Sequence, residues 1–111
     1  MNEDCIFCKI VNGEIPSNKV YEDDKVLAFY DVNPIAKIHV LVIPKKHINS
    51  FMELEDEELE LHLNKAIKEV ARILNVDKDG FRVLTNIGEN GGQAVKHLHY
   101  HILGGEKLPT R

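Results

Sequence analysis

Three histidines alternate with large apolar residues in His97-Leu98-His99-Tyr100-His101-Ile102-Leu103. In an extended strand, successive side chains point to opposite faces. The three imidazoles therefore share one face, while Leu98, Tyr100 and Ile102 share the other. Residues two apart have Cα atoms about 6.5–7 Å from one another, so a small ligand group can touch two rings at once. A core has no use for three polar rings in a row, because each must find a hydrogen bond, a metal or a ligand to offset its lost hydration. The natural occupant is a phosphate-sized anion or a metal ion. The plainer alternatives are incidental histidines on an exposed strand edge, or a purification remnant. A tag would be contiguous and terminal, whereas this run alternates and precedes Gly104-Gly105.

Histidine suits attack on phosphorus because a free pKa near 6.5 leaves a neutral, nucleophilic nitrogen at pH 7. One ring nitrogen attacks while an acceptor holds the other and fixes the tautomer. His99, with a histidine on either side, is the candidate nucleophile, and His101 would hydrogen-bond the phosphate or the leaving group. One such donor contributes about 10²–10³ in rate. His39, in an otherwise apolar strand, is either a fourth member of this group or a satisfied core histidine. Upstream of the triad runs Gly88-Glu89-Asn90-Gly91-Gly92-Gln93. Glycine permits backbone angles that let successive N–H groups converge on an anion. Gly-Gly also marks ordinary hairpins, but next to the triad this loop reads as a phosphate cradle.

The two cysteines occur only as Cys5-Ile6-Phe7-Cys8. That spacing points to a metal or a redox pair rather than a structural disulfide. A thioredoxin-type pair would follow a strand and open a long helix, and no strand fits before Cys5. Half a zinc site is the expectation, against two unpaired buried thiols.

The elements that must position these groups can be read from pattern. Residues 5–12 predict a short helix closed by Gly13, with Pro16 beyond it. Residues 20–22 and 26–31 predict strands joined at Asp23-Asp24, and Asn33-Pro34 breaks the chain. Residues 37–44 contain a β-branched apolar run typical of a central strand, ended by Pro44. Ser50 with Glu53 has the capping-box pattern for one short turn. Asp56 then caps a longer helix with Leu59, Leu63, Ile67, Val70 and Leu74 as its buried stripe. Glu57, Glu58 and Glu60 in its first turn and Arg72 near its end suit the helix dipole. His62, on the same helix, reads as a surface or satisfied histidine. Residues 81–86 predict a further strand before the histidine strand. A short helix, three strands, a longer helix and two strands predict an α+β fold, an antiparallel meander with helices packed on one face. A doubly wound parallel sheet would need more crossover helices.

Composition bounds the function. The 111 residues predict a single domain, 1–111, and 43% hydrophobic with 29% charged residues is the balance of an ordinary globule. A net charge of -4 argues against nonspecific nucleic-acid or anionic-membrane binding, which need basic surface, while leaving room for a local cationic pocket. No apolar run is long enough to span a membrane. Residues 1–4 are acidic and lack a signal-peptide pattern, so the expected location is cytoplasmic.

The histidine run resembles the signature of the histidine triad (HIT) superfamily. Cys5-Ile6-Phe7-Cys8-Lys9-Ile10, Tyr30-Asp31-Val32-Asn33-Pro34, His39 through His47 and Gly91-Gly92-Gln93-Ala94-Val95 extend the likeness along nearly the whole chain. They resemble its nucleotide-binding branch, the purine nucleoside phosphoramidases. The resemblance implies a HIT-like fold with a five-stranded antiparallel sheet and two helices, and a homodimer joining two sheets into one of ten strands. It implies hydrolysis of a P–N bond in AMP or GMP derivatives through a nucleotidyl-histidine intermediate. His99 matches the nucleophile, His101 the phosphate-contacting partner and His39 the histidine that joins them from a neighbouring strand. Asp31 matches the acid that holds the ribose hydroxyls, with Val32 beside it. Asn86, Gly92 and Gln93 match phosphate-side contacts, and Ile6, Phe7, Ile10, Phe29 and Leu41 match the apolar base pocket.

The chain departs from that pattern in two places. Ala94 stands where the family commonly has Ser or Thr, a hydroxyl that helps bind phosphate or the leaving group; the Ala94 N–H remains as a donor. The end, Leu108-Pro109-Thr110-Arg111, lacks the Trp-containing tail of many phosphoramidases. The cysteine pair resembles that of the galactose-1-phosphate uridylyltransferase branch, which has a structural zinc. The likeness implies a Cys₂His₂ zinc site of Cys5, Cys8, His47 and His97, leaving the His97 carbonyl to orient His99. Two other functions stay open: hydrolysis of dinucleoside polyphosphates, and a nucleotide-binding regulatory or scaffold role with weak catalysis.

Overall fold

A helix as short as Ile6–Val11 (α1) cannot hold itself in water, so its order comes from its ends and its buried face. Cys5 caps it, its Sγ accepting the Cys8 N–H at 3.4 Å. Gly13, in left-handed backbone (φ +79°), turns the chain away at the other end. Phe7, Cys8 and Ile10 are buried and pack with Leu27, Phe29, Leu41 and Ile43 of the sheet. The computed structural model describes residues 4–110; the acidic start read at residues 1–3, and Arg111, lie outside the described residues.

Strands Lys19–Glu22 (β1) and Val26–Tyr30 (β2) pair antiparallel through the expected turn. Asp23 staples that turn. Its Oδ1 accepts the N–H groups of Lys25 (2.8 Å) and Val26 (2.9 Å). Its Oδ2 accepts Tyr21 Oη–H (2.7 Å) and the His62 ring (2.8 Å), which makes His62 the satisfied histidine expected. Burial pushes the Asp23 carboxyl up, but the Tyr21, Lys25, His62 and Val26 bonds together outweigh it and hold the pKa at about 2. A carboxyl depressed in the fold contributes stability that is complete above its unfolded pKa near 4 and lost as pH falls toward 2. The shift corresponds to about 2 kcal/mol. Urea unfolding at pH 5 and pH 2 should show wild type losing about 2 kcal/mol more than Asp23→Asn. An equal loss in both would remove Asp23 from this role.

Strand Ile38–Pro44 (β3) is buried along nearly its whole length and pairs with β2 and with Tyr100–Gly104 (β5). A one-turn 3₁₀ helix, Phe51–Glu53, starts at Ser50, whose hydroxyl accepts the Met52 N–H. Helix Glu57–Ile73 (α2) comes next, with the Asp56 side chain accepting the Leu59 N–H at 3.1 Å as its cap. Arg82–Leu84 (β4) is the second edge strand, giving the order β1-β2-β3-β5-β4 with every pairing antiparallel. No described helix is long and apolar enough to cross a membrane.

Two expectations are corrected here. The helices do not share a face. Leu59, Leu63, Ile67 and Val70 of α2 pack on Val26, Ala28, Val40, Val42 and Ile102, whereas α1 covers Leu27, Phe29, Leu41 and Ile43. Consecutive apolar residues in β2 and β3 mean both faces are buried, and each face receives one helix. Second, the histidine run is not one strand, because the ladder begins only at Tyr100. Ahead of it the Thr85 hydroxyl, not a strand amide, donates to His99 O at 2.8 Å. The alternation survives regardless: Leu98 and Ile102 lie in the α2-side core, and the imidazoles face the α1 side.

Candidate active site

The alternation across β3 and β5 puts polar rings on the face that α1 covers. A cavity of about 910 Å³ opens there, large enough for a nucleotide. Ile6, Phe7 and Ile10 of α1, Phe29 of β2 and Leu41 of β3 wall it with apolar surface. Asp31, Val32, Ala94, His99 and His101 also line it, so ten of the residues expected at a substrate converge on one space.

The hydrogen bonds fix each ring's tautomer. The Ile35 N–H donates to His39 Nδ1 at 3.2 Å, so the His39 proton sits on Nε2. That Nε2–H points to His101 Nδ1 at 2.8 Å, with Asp31 Oδ2 3.4 Å away. Cα register explains the meeting: His101 pairs with Leu41, which puts His39 diagonally opposite on the same face. His101 accepts at Nδ1 and must carry its own proton on Nε2, a buried atom with no protein partner. Burial, then His99 and His39, push the His101 pKa down to about 4, and burial lowers that of His39 too. Both rings are neutral at pH 7. His99, only 5% exposed, donates Nδ1–H to His97 O at 2.7 Å. Its Nε2 keeps a free lone pair, and its ring centroid lies 5.0 Å from that of His101. A bare nucleophilic nitrogen thus stands beside a committed donor.

Asp31, His39 and His101 also offer three ligand atoms within 4.8 Å of one another. A metal there would have to displace the His39 Nε2 proton, moving it to Nδ1 against the Ile35 N–H. The set is better suited to passing hydrogen-bond polarity from backbone to His101. Asp31 is itself held by accepting the Asn33 N–H at Oδ1, 2.9 Å.

A second cluster adjoins the first. Cys5, Cys8, His47 and His97 bring four ligand atoms within 4.8 Å of one another, a group that could hold a metal ion. Cys5 Sγ and Cys8 Sγ lie 3.3 and 3.6 Å from His97 Nδ1, and Cys8 Sγ lies 3.2 Å from His47 Nδ1. Bond lengths of about 2.3 Å to sulfur and 2.05 Å to nitrogen put tetrahedral S and N ligands about 3.6 Å apart. The spacing fits with small adjustment. Each ring also donates its far N–H, His97 to Pro44 O (2.8 Å) and His47 to Asn49 Oδ1 (2.9 Å), which turns both Nδ1 lone pairs toward the thiols.

The glycine loop is not the expected cradle. Gly92 N–H donates to Glu89 O and Gln93 N–H to Gly88 O, both at 3.0 Å, so the loop closes on its own carbonyls. Gly88 and Gly92 adopt positive φ, and a Cβ at Gly91 would sit 2.4 Å from Ile87 O. The Gln93 amide is fully engaged: Oε1 accepts Gly88 N–H, and Nε2 donates to Asn49 O and Val95 O. Asn86, Gly92 and Gln93 are not among the residues lining the cavity, whereas Ala94 is. Ser17, Asn18, Tyr30 and Val95 line it without having been expected. Ser17 Oγ is buried without a partner. The signal was weak, because Pro16-Ser17-Asn18 has only the composition of a connecting loop.

The comparisons agree with this architecture. Residues 12–108 match the family model described as HIT domain. An uncharacterized HIT-like protein of Methanocaldococcus jannaschii is 49% identical over 100 residues, covering 89% of this chain and 77% of that protein. A histidine triad protein from Clostridium difficile superposes with a TM-score of 0.94 at 56% identity, covering 100% of this chain and 98% of that chain. A HIT family hydrolase from Clostridium thermocellum superposes with a TM-score of 0.95 at 42% identity, again over 100% and 98%. With the family model matched over residues 12–108 and a relative 49% identical across 89% of the chain, this protein belongs to the HIT domain family.

Proposed function

We propose that this protein is a hydrolase of purine nucleoside phosphoramidates, acting through a nucleotidyl-His99 intermediate. One observation carries the reading: His99 Nε2 is held free by the Nδ1–H bond to His97 O, next to the unpartnered Nε2–H of His101. The distribution of apolar and polar residues around the cavity supports a nucleotide as its occupant. In this reading the apolar side chains of Phe7, Ile10, Phe29 and Leu41 would take the base, Asp31 the ribose hydroxyls, and His99 and His101 the phosphate, all of them residues that line the cavity.

His99 Nε2 attacks the α-phosphorus in line, the P–N bond breaks, and the amine leaves with a proton from solvent. Water then attacks the His99-bound phosphorus, releasing the nucleoside monophosphate and restoring neutral His99. In both steps the His101 Nε2–H stabilises charge on a phosphoryl oxygen, with its orientation set by His39. Cys5, Cys8, His47 and His97 would hold zinc, which two thiolates and two imidazoles favour. It would supply a rigid crosslink between α1 and the segment before β5. The acting form is a cytoplasmic homodimer, for which sedimentation should give twice the mass of one chain; a monomer at micromolar concentration would reject that part.

Ala94 favours a second reading. Its methyl lines the cavity where a hydroxyl would assist the leaving group. This suits a nucleotide-binding regulatory or scaffold protein with weak turnover. Acid-labile trapping with labelled adenosine phosphoramidate, run beside diadenosine tetraphosphate, separates the readings. A burst of labelled histidine and faster P–N cleavage support the phosphoramidase. Faster polyphosphate cleavage moves the assignment to that substrate, and AMP binding without a burst moves it to the binding protein.

A further inference from the structure

The metal-ligating cluster and the nucleotide cavity share structure beyond the chain that joins them. Phe7 stands between Cys5 and Cys8, with its ring edge-on to two histidines at once. Its centroid lies 5.8 Å from that of His97, a ligating residue, at 74°. It lies 5.1 Å from that of His99, the nucleophile, at 83°. Phe29, on the cavity wall, is 5.7 Å away. Close packing leaves the ring little room to tilt without moving one of these neighbours. Any slackening of the cysteine cluster therefore reaches the base slot and the attacking ring together.

A second connection starts at the other histidine ligand. His47 Nε2–H donates to Asn49 Oδ1 at 2.9 Å. The Asn49 main-chain carbonyl accepts Gln93 Nε2–H at 2.6 Å. The same Gln93 nitrogen donates to Val95 O at 3.0 Å, and Gln93 Oε1 accepts the Gly88 N–H at 2.9 Å. Gln93 is thus a staple across the glycine loop, anchored at one end next to a ligating ring. Ala94 and Val95, the next two residues, line the cavity, and Val95 packs against the apolar cluster that contains Phe7. Two separate sets of cavity-lining residues, Phe7 and Ala94 with Val95, thus trace back to the same cluster.

We propose that Asn49 and Gln93 are positioning residues which, with Phe7, couple the metal cluster to the nucleotide cavity, so that bound metal and bound nucleotide each strengthen binding of the other. The proposal deepens the nucleotide-hydrolase reading and rests on it. Coupling of this kind is reciprocal, and the two affinities must change by one common factor.

The test is a chelator competition on the zinc-loaded protein, giving its zinc affinity with and without saturating AMP. Calorimetry then gives the AMP affinity of the zinc-loaded and zinc-free forms. The expected coupling is about 10-fold in each direction. Because the zinc-free protein can lose its fold, a second arm uses only loaded protein that retains all four ligating residues. In Asn49→Ala and Gln93→Ala the AMP effect on zinc affinity should shrink below about 2-fold, and the lost kcat/KM should appear as raised KM with kcat little changed. Asn49→Asp, which keeps an acceptor for the His47 N–H, should preserve the coupling. AMP binding that leaves zinc affinity unchanged overturns the coupling and leaves the nucleotide reading standing. Undiminished coupling in both alanine variants overturns the positioning role. Absence of AMP binding to loaded protein fails the functional reading itself, and the coupling with it.

Discussion

Asn in place of His99 should leave a protein that binds AMP close to normally and turns over phosphoramidate at least about 10⁴-fold more slowly. Loss of a covalent nucleophile removes the step itself, so its effect far exceeds that of losing one donor. The His99 ring is buried between Phe7 and His101, and the smaller amide fits the same space with few displaced neighbours. Stopped-flow kinetics with a fluorogenic phosphoramidate, and calorimetry with AMP, measure the two halves separately. Turnover within about 10-fold of wild type would show that another atom attacks phosphorus.

Cys8→Ser should produce the largest loss of stability. Cys8 is 1% exposed and its sulfur lies against both His47 and His97. Wild-type protein prepared without a tag should carry close to one equivalent of zinc by elemental analysis, and the variant nearly none. With free zinc at 100–1,000 times its dissociation constant, binding to the folded form alone contributes about 2.7–4.1 kcal/mol. A domain of this size should then melt about 10 °C lower in the variant. The buried His97 would also lose a partner at Nδ1. Equal melting temperatures, or wild-type protein whose thiols both titrate in the native state, would reject the zinc assignment.

Much of this arrangement could be read from the chain because the physics involved is local. The stripe Leu59, Leu63, Ile67 and Val70 has helical period, and it is buried as that period requires. Asp56 caps α2 and Ser50 caps the 3₁₀ turn through bonds that need only adjacent residues. The β-branched run around Val40 and Val42 marked a central strand. The spacing of Cys5 and Cys8 points to a metal or a redox pair, whereas His47 and His97 join them only through family likeness. No local rule links residues 39 and 89 positions apart.

The features that escaped depend on which of several partners a group meets in the assembled fold. Gly92 and Gln93 carry the composition of an anion cradle, yet their N–H groups turn inward because carbonyls of the same loop lie closer. The helices separated onto two faces because β2 and β3 present apolar side chains in both directions. The extended run beginning at His97 joins no ladder before Tyr100, and at His99 the Thr85 hydroxyl donates to the carbonyl in place of a strand amide. Ser17 has no pattern around it at all. Its place at the cavity becomes visible only when β1, α1 and β2 are assembled.

The bond between His39 and His101 spans 62 positions of sequence and exists only when the two central strands lie side by side. Contacts so distant along the chain are expensive to close and form late when a polypeptide folds. Helix α2, by contrast, gathers its own turns from near neighbours. After dilution from denaturant, the far-ultraviolet signal should therefore recover before turnover does, and the delay between them times the zipping of the sheet's middle.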